Sequence, residues 1–143
     1  MNQDVLYYVS LKGLINKNGK ILLLRDPNME YEKQIELPGG KMQSGETDFH
    51  KTLLREIKEE TGLKVTIGKP FDVTFFEYLK SSKHRNRNKK IFIVVFECFY
   101  QSGNVKLSNE HDAYWWADKN NFEDIFTSKS NLYEIVKKYF GEK

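Results

Sequence analysis

Apolar residues fall in blocks along this chain, and the spacing within each block predicts what it forms. Val5 to Ile15 is rich in β-branched and aromatic residues and reads as a strand. Asn16 to Gly19 (NKNG) holds an Asn-Gly pair, a strong hairpin signal, and Lys20 to Arg25 (KILLLR) returns as a second, well-buried strand. Asp26 to Gln34 is polar and contains Pro27, so a loop is expected there; Ile35 to Leu37 is a short strand running into Pro38-Gly39-Gly40. The best helical pattern follows. Phe49, Leu53 and Ile57 recur at spacings of four with Leu54 widening their stripe, Asp48 is placed as N-cap, and Gly62 is placed as the stop. Two long strands are expected over Lys64 to Leu79 and Ile91 to Tyr100, separated by the polar run Lys80 to Lys90. Gln101 to His111 is polar, Ala113 to Ala117 is a short strand, Asn120 to Ile125 a short helix, and Asn131 to Phe140 an amphipathic C-terminal helix. Strands outnumber helices, and hairpins mix with one central strand–loop–helix unit. That order predicts an α+β (mixed α/β) sandwich of helices against a mixed sheet.

Composition adds bounds. The 143 residues suit a single domain, residues 1–143, with no repeat or linker. An apolar share of 39% with 14% aromatic residues is that of a globular protein and excludes a disordered one. The formal net charge of +3 describes a lysine-rich surface with charges of both signs, which by itself assigns no anionic partner. One cysteine, Cys98, sits in an apolar run, so no internal disulfide and no Cys/His metal spacing exist. No apolar stretch reaches transmembrane length, and the N-terminal MNQDVLYYVSLKG lacks a basic start followed by a signal-type core. A cytoplasmic protein is expected.

The chemistry concentrates between Gly39 and Leu63. Glu56, Glu59 and Glu60 stand at i, i+3 and i+4, which places all three on one helical face within reach of one another. Close carboxylates repel, and the repulsion grows where water is excluded. A hard cation relieves it, and Mg²⁺ takes oxygen ligands and bridges carboxylates to phosphates. Alone, the string REIKEE describes a solvated helix face. Its context argues otherwise: upstream lies ELPGGKMQSGE, where Gly39, Gly40 and Gly45 crowd near Glu46 and permit close approach of backbone to a ligand.

The segment resembles the Nudix box. Gly40, Glu46, Arg55, Glu56, Ile57, Glu59, Glu60, Gly62 and Leu63 fill its nine specified positions, with Pro38-Gly39 as a fitting lead-in. There is one departure: eight residues (TDFHKTLL) separate Glu46 from Arg55 where the pattern has seven. An extra residue inside a helix rotates everything after it by about a quarter turn or more. The insertion is therefore expected ahead of the helix, at Thr47-Asp48, leaving Arg55 to Gly62 in their mutual geometry.

The resemblance implies a Nudix-like α/β/α sandwich and metal-dependent hydrolysis of a pyrophosphate bond in nucleoside diphosphate-linked substrates. It implies Mg²⁺ or Mn²⁺ as cofactor, held by Glu56, Glu59, Glu60 and the backbone carbonyl at Gly40. Arg55 would orient neighbouring carboxylates and Glu46 would support Arg55. The base that takes the water's proton is left between Glu56 and Glu110, which with His111 precedes the aromatic strand in LSNEHDAYWWAD. No substrate-binding residue is assigned.

The expected partner is a small-molecule nucleotide such as a (d)NTP, acted on by a monomer or homodimer without a membrane. ADP-ribose and dinucleoside polyphosphates are alternatives. Pro70 lies too near the box to serve as the marker of many ADP-ribose hydrolases, and Tyr78 is a weak marker of diadenosine tetraphosphate hydrolases. A non-catalytic nucleotide sensor would be expected to have lost box glutamates, which are all present here. An RNA 5′-end pyrophosphohydrolase would use the basic loop of Lys80, Lys83, His84, Arg85, Arg87, Lys89 and Lys90; nucleic acid is the lesser expectation, since no aromatics interleave those charges. Glu59→Gln and Glu60→Gln should each abolish most metal-stimulated turnover while circular dichroism stays native; full activity in both would remove the assignment.

Overall fold

The structure, a computed structural model, describes residues 2–27, 34–77, 88–127 and 129–142. Strands β1 (Tyr8–Lys17) and β2 (Lys20–Asp26) form the expected hairpin. Its turn places Asn18 and Gly19 at φ of 53° and 83°, the positive pair that a two-residue connection needs. The Asn16 side chain accepts the Gly19 N–H at 3.1 Å and closes it. Strand β3 (Gln34–Glu36) pairs antiparallel with the C-terminal half of β2, over Leu24–Asp26.

Strand β4 (Gly39–Lys41) departs from the expectation of a plain glycine loop. It pairs antiparallel with β1, setting Gly39 opposite Lys12, Gly40 opposite Leu11 and Lys41 opposite Ser10. The glycines make this possible. Gly39 has φ of 142°, and a Cβ there would run into the carbonyl of Leu11.

Helix α1 (Phe49–Thr61) begins and ends as predicted. Asp48 accepts the Lys51 N–H at 3.1 Å, and Gly62, at φ of 75°, donates to the Lys58 carbonyl at 2.9 Å. Its buried stripe is narrower and rotated relative to the expected one. Leu53 and Ile57 are fully buried with Thr52, Glu60 and Thr61, but Phe49 is 54% and Leu54 39% exposed. Steps of four overshoot a full turn by about 40° each, so a stripe centred on Leu53 and Ile57 carries Phe49 off the sheet. Burying Leu53 and Ile57 contributes about 2 kcal/mol each.

The long antiparallel pair β5 (Lys64–Glu77) and β6 (Lys90–Ser102) follows, with irregular register around Pro70. Strand β6 then lies parallel to β1 from Tyr8–Ile91 to Asn16–Phe99, which makes the sheet mixed. Strand β7 (Ala113–Ala117), at the expected bounds, pairs with β2. Helices α2 (Phe122–Ile125) and α3 (Asn131–Glu142) complete the chain.

The sheet separates two cores. Leu11, Ile15, Phe96 and Cys98 pack under α1 with Leu53 and Ile57, while Leu14, Ile93 and Val95 on the other face pack under α3 with Leu132, Val136 and Tyr139. This is the expected α+β sandwich. Cys98 is buried as anticipated, and burial pushes its thiol up to about 12. Trp115 and Trp116 face opposite cores, and each is partly buried. Among the described residues no helix is long and apolar enough to cross a membrane. Tyr78, Lys80, Lys83, His84, Arg85 and Arg87 lie outside the described residues.

Gly39→Ala should lower stability in urea melts by roughly 2–3 kcal/mol, through left-handed strain plus displacement of β1. Gly45→Ala, at φ of 87° with no atom within 4 Å of the added Cβ, should cost only the strain, about 1 kcal/mol. Equal losses would mean that the close approach to β1 carries no weight.

Candidate active site

One cleft is lined from both layers of the sandwich. Glu56 and Glu60 reach it from α1, Gly39, Gly40 and Lys41 from β4, and Ser10 and Lys12 from β1; Ile91, Ile93, Thr74, Phe76 and Leu132 wall its other side, and Glu110 stands at its margin. Strand β1 explains the opening. It pairs with β4 over Ser10–Lys12 and with β2 only at Asn16–Lys17, so the sheet divides there and α1 carboxylates meet residues of the opposite face.

Glu60 is the most buried of the predicted glutamates, at 5% exposure. Its Oε1 accepts the Gly39 N–H at 3.1 Å, which ties α1 to β4. Burial pushes its carboxyl up to about 7, against the opposing influence of Lys12, His111 and the Gly39 N–H. Glu56 is half-buried beside Gly40, and a Cβ on Gly40 would strike its carboxylate. Burial raises its carboxyl as well, Arg55 opposing and Glu59 assisting.

Arg55 gathers three carboxylates. It donates to Glu46 at 3.0 Å, to Glu56 at 3.1 Å and to Glu59 at 3.1 Å. Hydrogen bonding to Glu46, then to Glu59, raises the guanidinium still further above its ordinary value. Glu46 also accepts the Gln43 N–H at 2.6 Å and the Thr52 hydroxyl at 2.9 Å. The Gln43 bond leads the causes that hold its carboxyl low. The extra residue thus leaves Glu46 and Arg55 in contact, because Asp48 caps the helix after it.

The structure brings Gly40, Glu56, Glu60 and Glu110 to the cleft and leaves Glu59 outside it. Glu59 is largely exposed and turned to Arg55. Among the described residues no three Asp, Glu, His or Cys side chains converge closely enough to hold a metal ion. The reason is visible: Glu60 is engaged with Gly39 and Glu59 with Arg55. Glu110 is exposed in the loop before β7, its N–H 3.4 Å from the Ser108 hydroxyl.

His111 lies in the loop before β7, and its side chain is buried. Its Nε2 lies 2.9 Å from Glu36 Oε2, and its Nδ1 is buried with no hydrogen-bond partner among the described residues. Burial disfavours the imidazolium, but the Glu36 hydrogen bond and the charges of Glu60 and Glu36 outweigh it and raise His111 above its ordinary value. Glu36 is held low despite its burial, by Lys12 first and then by His111. Lys12 and Glu36 were missed as cleft residues. The available signal was a charge interrupting an apolar strand: Lys12 between Leu11 and Leu14, and Glu36 between Ile35 and Leu37.

A family model, the NUDIX domain, matches residues 8–139. An ADP-ribose pyrophosphatase from Methanocaldococcus jannaschii is 32% identical over 117 residues, covering 82% of this chain; the chain spans only 65% of that relative's length. A nucleoside triphosphatase NudI from Escherichia coli is 29% identical over 109 residues, 73% of this chain and 77% of its own. The crystal structure of a MutT protein from Methanosarcina mazei Go1 superposes with a TM-score of 0.78 at 28% identity, covering 99% of this chain and 98% of that one. Nudix hydrolases generally use divalent metal ions and act on small-molecule nucleotide substrates. Because the model match takes in the glycine loop, the glutamate helix and the sheet that carries the cleft, the chain belongs to the NUDIX family.

Proposed function

We propose that this chain, acting as one domain, hydrolyses a pyrophosphate bond of nucleoside triphosphates, ribo- or deoxyribo-, with Mg²⁺ or Mn²⁺. The observation that carries the reading is the two-sided lining of the cleft. Helix α1 and strands β1, β3 and β4 supply Glu56, Glu60, Lys12, Glu36 and Lys41, whereas β5, β6 and α3 supply the uncharged Thr74, Phe76, Ile91, Ile93, Asn131 and Leu132. A polyphosphate suits the first side and a flat nucleobase the second. Similarity to a protein named nucleoside triphosphatase supports the same choice.

The donor chemistry fits a hard divalent cation. Glu56 and Glu60 are carboxylates whose burial disfavours their charged forms, and a cation on them reverses that cost. Glu56, Glu60 and the Gly40 carbonyl would hold it, with Glu59 joining on release from Arg55. When bound, the metal neutralises phosphate charge and lowers the pKa of water. The chain's own residues do the rest. Arg55, fixed by Glu46, orients Glu56; Gly40 leaves room for the Glu56 carboxylate beside its own carbonyl; Glu110 or Glu56 accepts the proton of the attacking water. ADP-ribose is the second reading, favoured by the 32% identical relative.

A Mg²⁺-dependent screen of (d)NTPs, ADP-ribose and dinucleoside polyphosphates, with products weighed by mass spectrometry, should show fastest release of pyrophosphate or phosphate from a triphosphate. Preferred cleavage of ADP-ribose would select the second reading, and no cleavage of any would point to a sensor.

Metal-free stability supplies a separate check. Glu60 keeps its proton up to about pH 7 when folded but loses it near 4.5 when unfolded. Stability from this group is therefore complete below 4.5 and lost as pH rises to 7, by about 3 kcal/mol. Glu56 and His111, also raised, act in the same direction. Metal-free protein should weaken in urea between pH 5 and 8, and Mg²⁺ should restore most at the upper end. Glu60→Gln should flatten the profile; an unchanged slope would remove Glu60 as its cause.

A further inference from the structure

Lys12 stands where a lysine is costly. Its strand is flanked on both sides at this point, by β4 through Gly39 and by β6 through Val95. Its neighbours in sequence, Leu11, Leu14 and Ile15, are buried in the two cores. Its partly buried side chain lines the cleft, and its ammonium reaches the Gly39 carbonyl at 3.4 Å. That long contact is its one hydrogen bond among the described residues, so two of its three donors have no hydrogen-bond partner there. The ammonium also acts electrostatically on Glu36, Glu56, Glu60 and His111. Lys12 thus acts on three acids at once, Glu36, Glu56 and Glu60, which repel one another.

We propose that Lys12 is a resident cation of the cleft, which balances the carboxylates in the metal-free chain and passes to a substrate phosphate oxygen when the metal–nucleotide complex enters. The inference rests on the pyrophosphohydrolase reading above. Its physical content is a coupling. With Lys12 beside them, the carboxylates attract a free divalent ion less strongly, because two cations then share one set of acids. A phosphate that takes up the ammonium removes that competition, so metal and nucleotide bind better together than apart. Lys12 sits opposite Gly39, one residue from the Gly40 carbonyl, so the transfer requires only side-chain rotation.

The test compares wild type, Lys12→Met and Lys12→Arg. Mn²⁺ affinity of the nucleotide-free protein is read by electron paramagnetic resonance, and affinity for a non-hydrolysable nucleoside triphosphate with Mg²⁺ by calorimetry. Lys12→Met should bind free Mn²⁺ roughly tenfold more tightly and the nucleotide roughly tenfold more weakly. Lys12→Arg, which keeps the charge, should stay within about twofold of wild type for Mn²⁺. Should Lys12→Met not fold, Lys12→Gln carries the same comparison while keeping a donor for Gly39. A purely structural lysine would lower thermal stability and leave both affinities unchanged, which overturns the proposal, as does weaker Mn²⁺ binding by the neutral variant. Failure of the parent reading looks different: wild type itself would neither bind Mn²⁺ nor cleave any nucleotide.

Discussion

Glu60 places a carboxylate where water scarcely reaches, and its Oε1 holds the Gly39 N–H at 3.1 Å. Much of the cleft follows from this bond. It fixes the end of α1 against β4, and β4 can lie along β1 only because residues 39 and 40 have no side chain. The two glycines leave room for the Leu11 carbonyl on one side and the Glu56 carboxylate on the other. Helix, loop and central strand are thereby locked around one acidic opening. The desolvation this imposes on Glu56 and Glu60 disfavours their charged forms, and the proposed cation site rests on that cost.

Arg55 works on the outer side of the same helix. Its contacts to Glu46, Glu56 and Glu59 spread one guanidinium over three acids. Glu46 is itself secured by the Gln43 N–H and the Thr52 hydroxyl, which makes it a rigid anchor for the fork. The result is a division of charge. Arg55 compensates the exposed side, whereas on the buried side Lys12 and His111 face Glu36 and Glu60. A protein that buried these acids without either cation would lose several kcal/mol for each uncompensated charge.

The cleft also concentrates positive charge in a chain without a strongly basic surface. The formal charge is only +3, yet Lys12 and Lys41 stand inside the opening, where two charges in a low-dielectric wall count for more than many on the surface. The uncharged wall from Phe76 to Leu132 comes from strands and a helix far apart in sequence. Its position beside the acids depends on β6 running parallel to β1, which brings Ile91 and Ile93 next to Tyr8 and Ser10.

Local patterns were legible in the sequence because they depend on neighbours in the chain. The NKNG hairpin, the Asp48 cap, the Gly62 stop and the bounds of β7 all follow from local backbone preferences. The glutamate triad was legible for the same reason, since helical spacing puts Glu56, Glu59 and Glu60 on one face before any tertiary contact forms. What the triad does was decided by packing. Only the fold turns Glu60 inward to Gly39, leaves Glu59 outside on Arg55, and shifts the buried stripe away from Phe49. Likewise, β4 needs β1 as its partner, and Lys12, Glu36 and His111 meet across 24 and 75 positions of chain. By itself the sequence determined the elements and the acidic face, because their causes act over a few residues. The tertiary structure decided which acids are desolvated and which cations answer them, because burial belongs to the assembled layers.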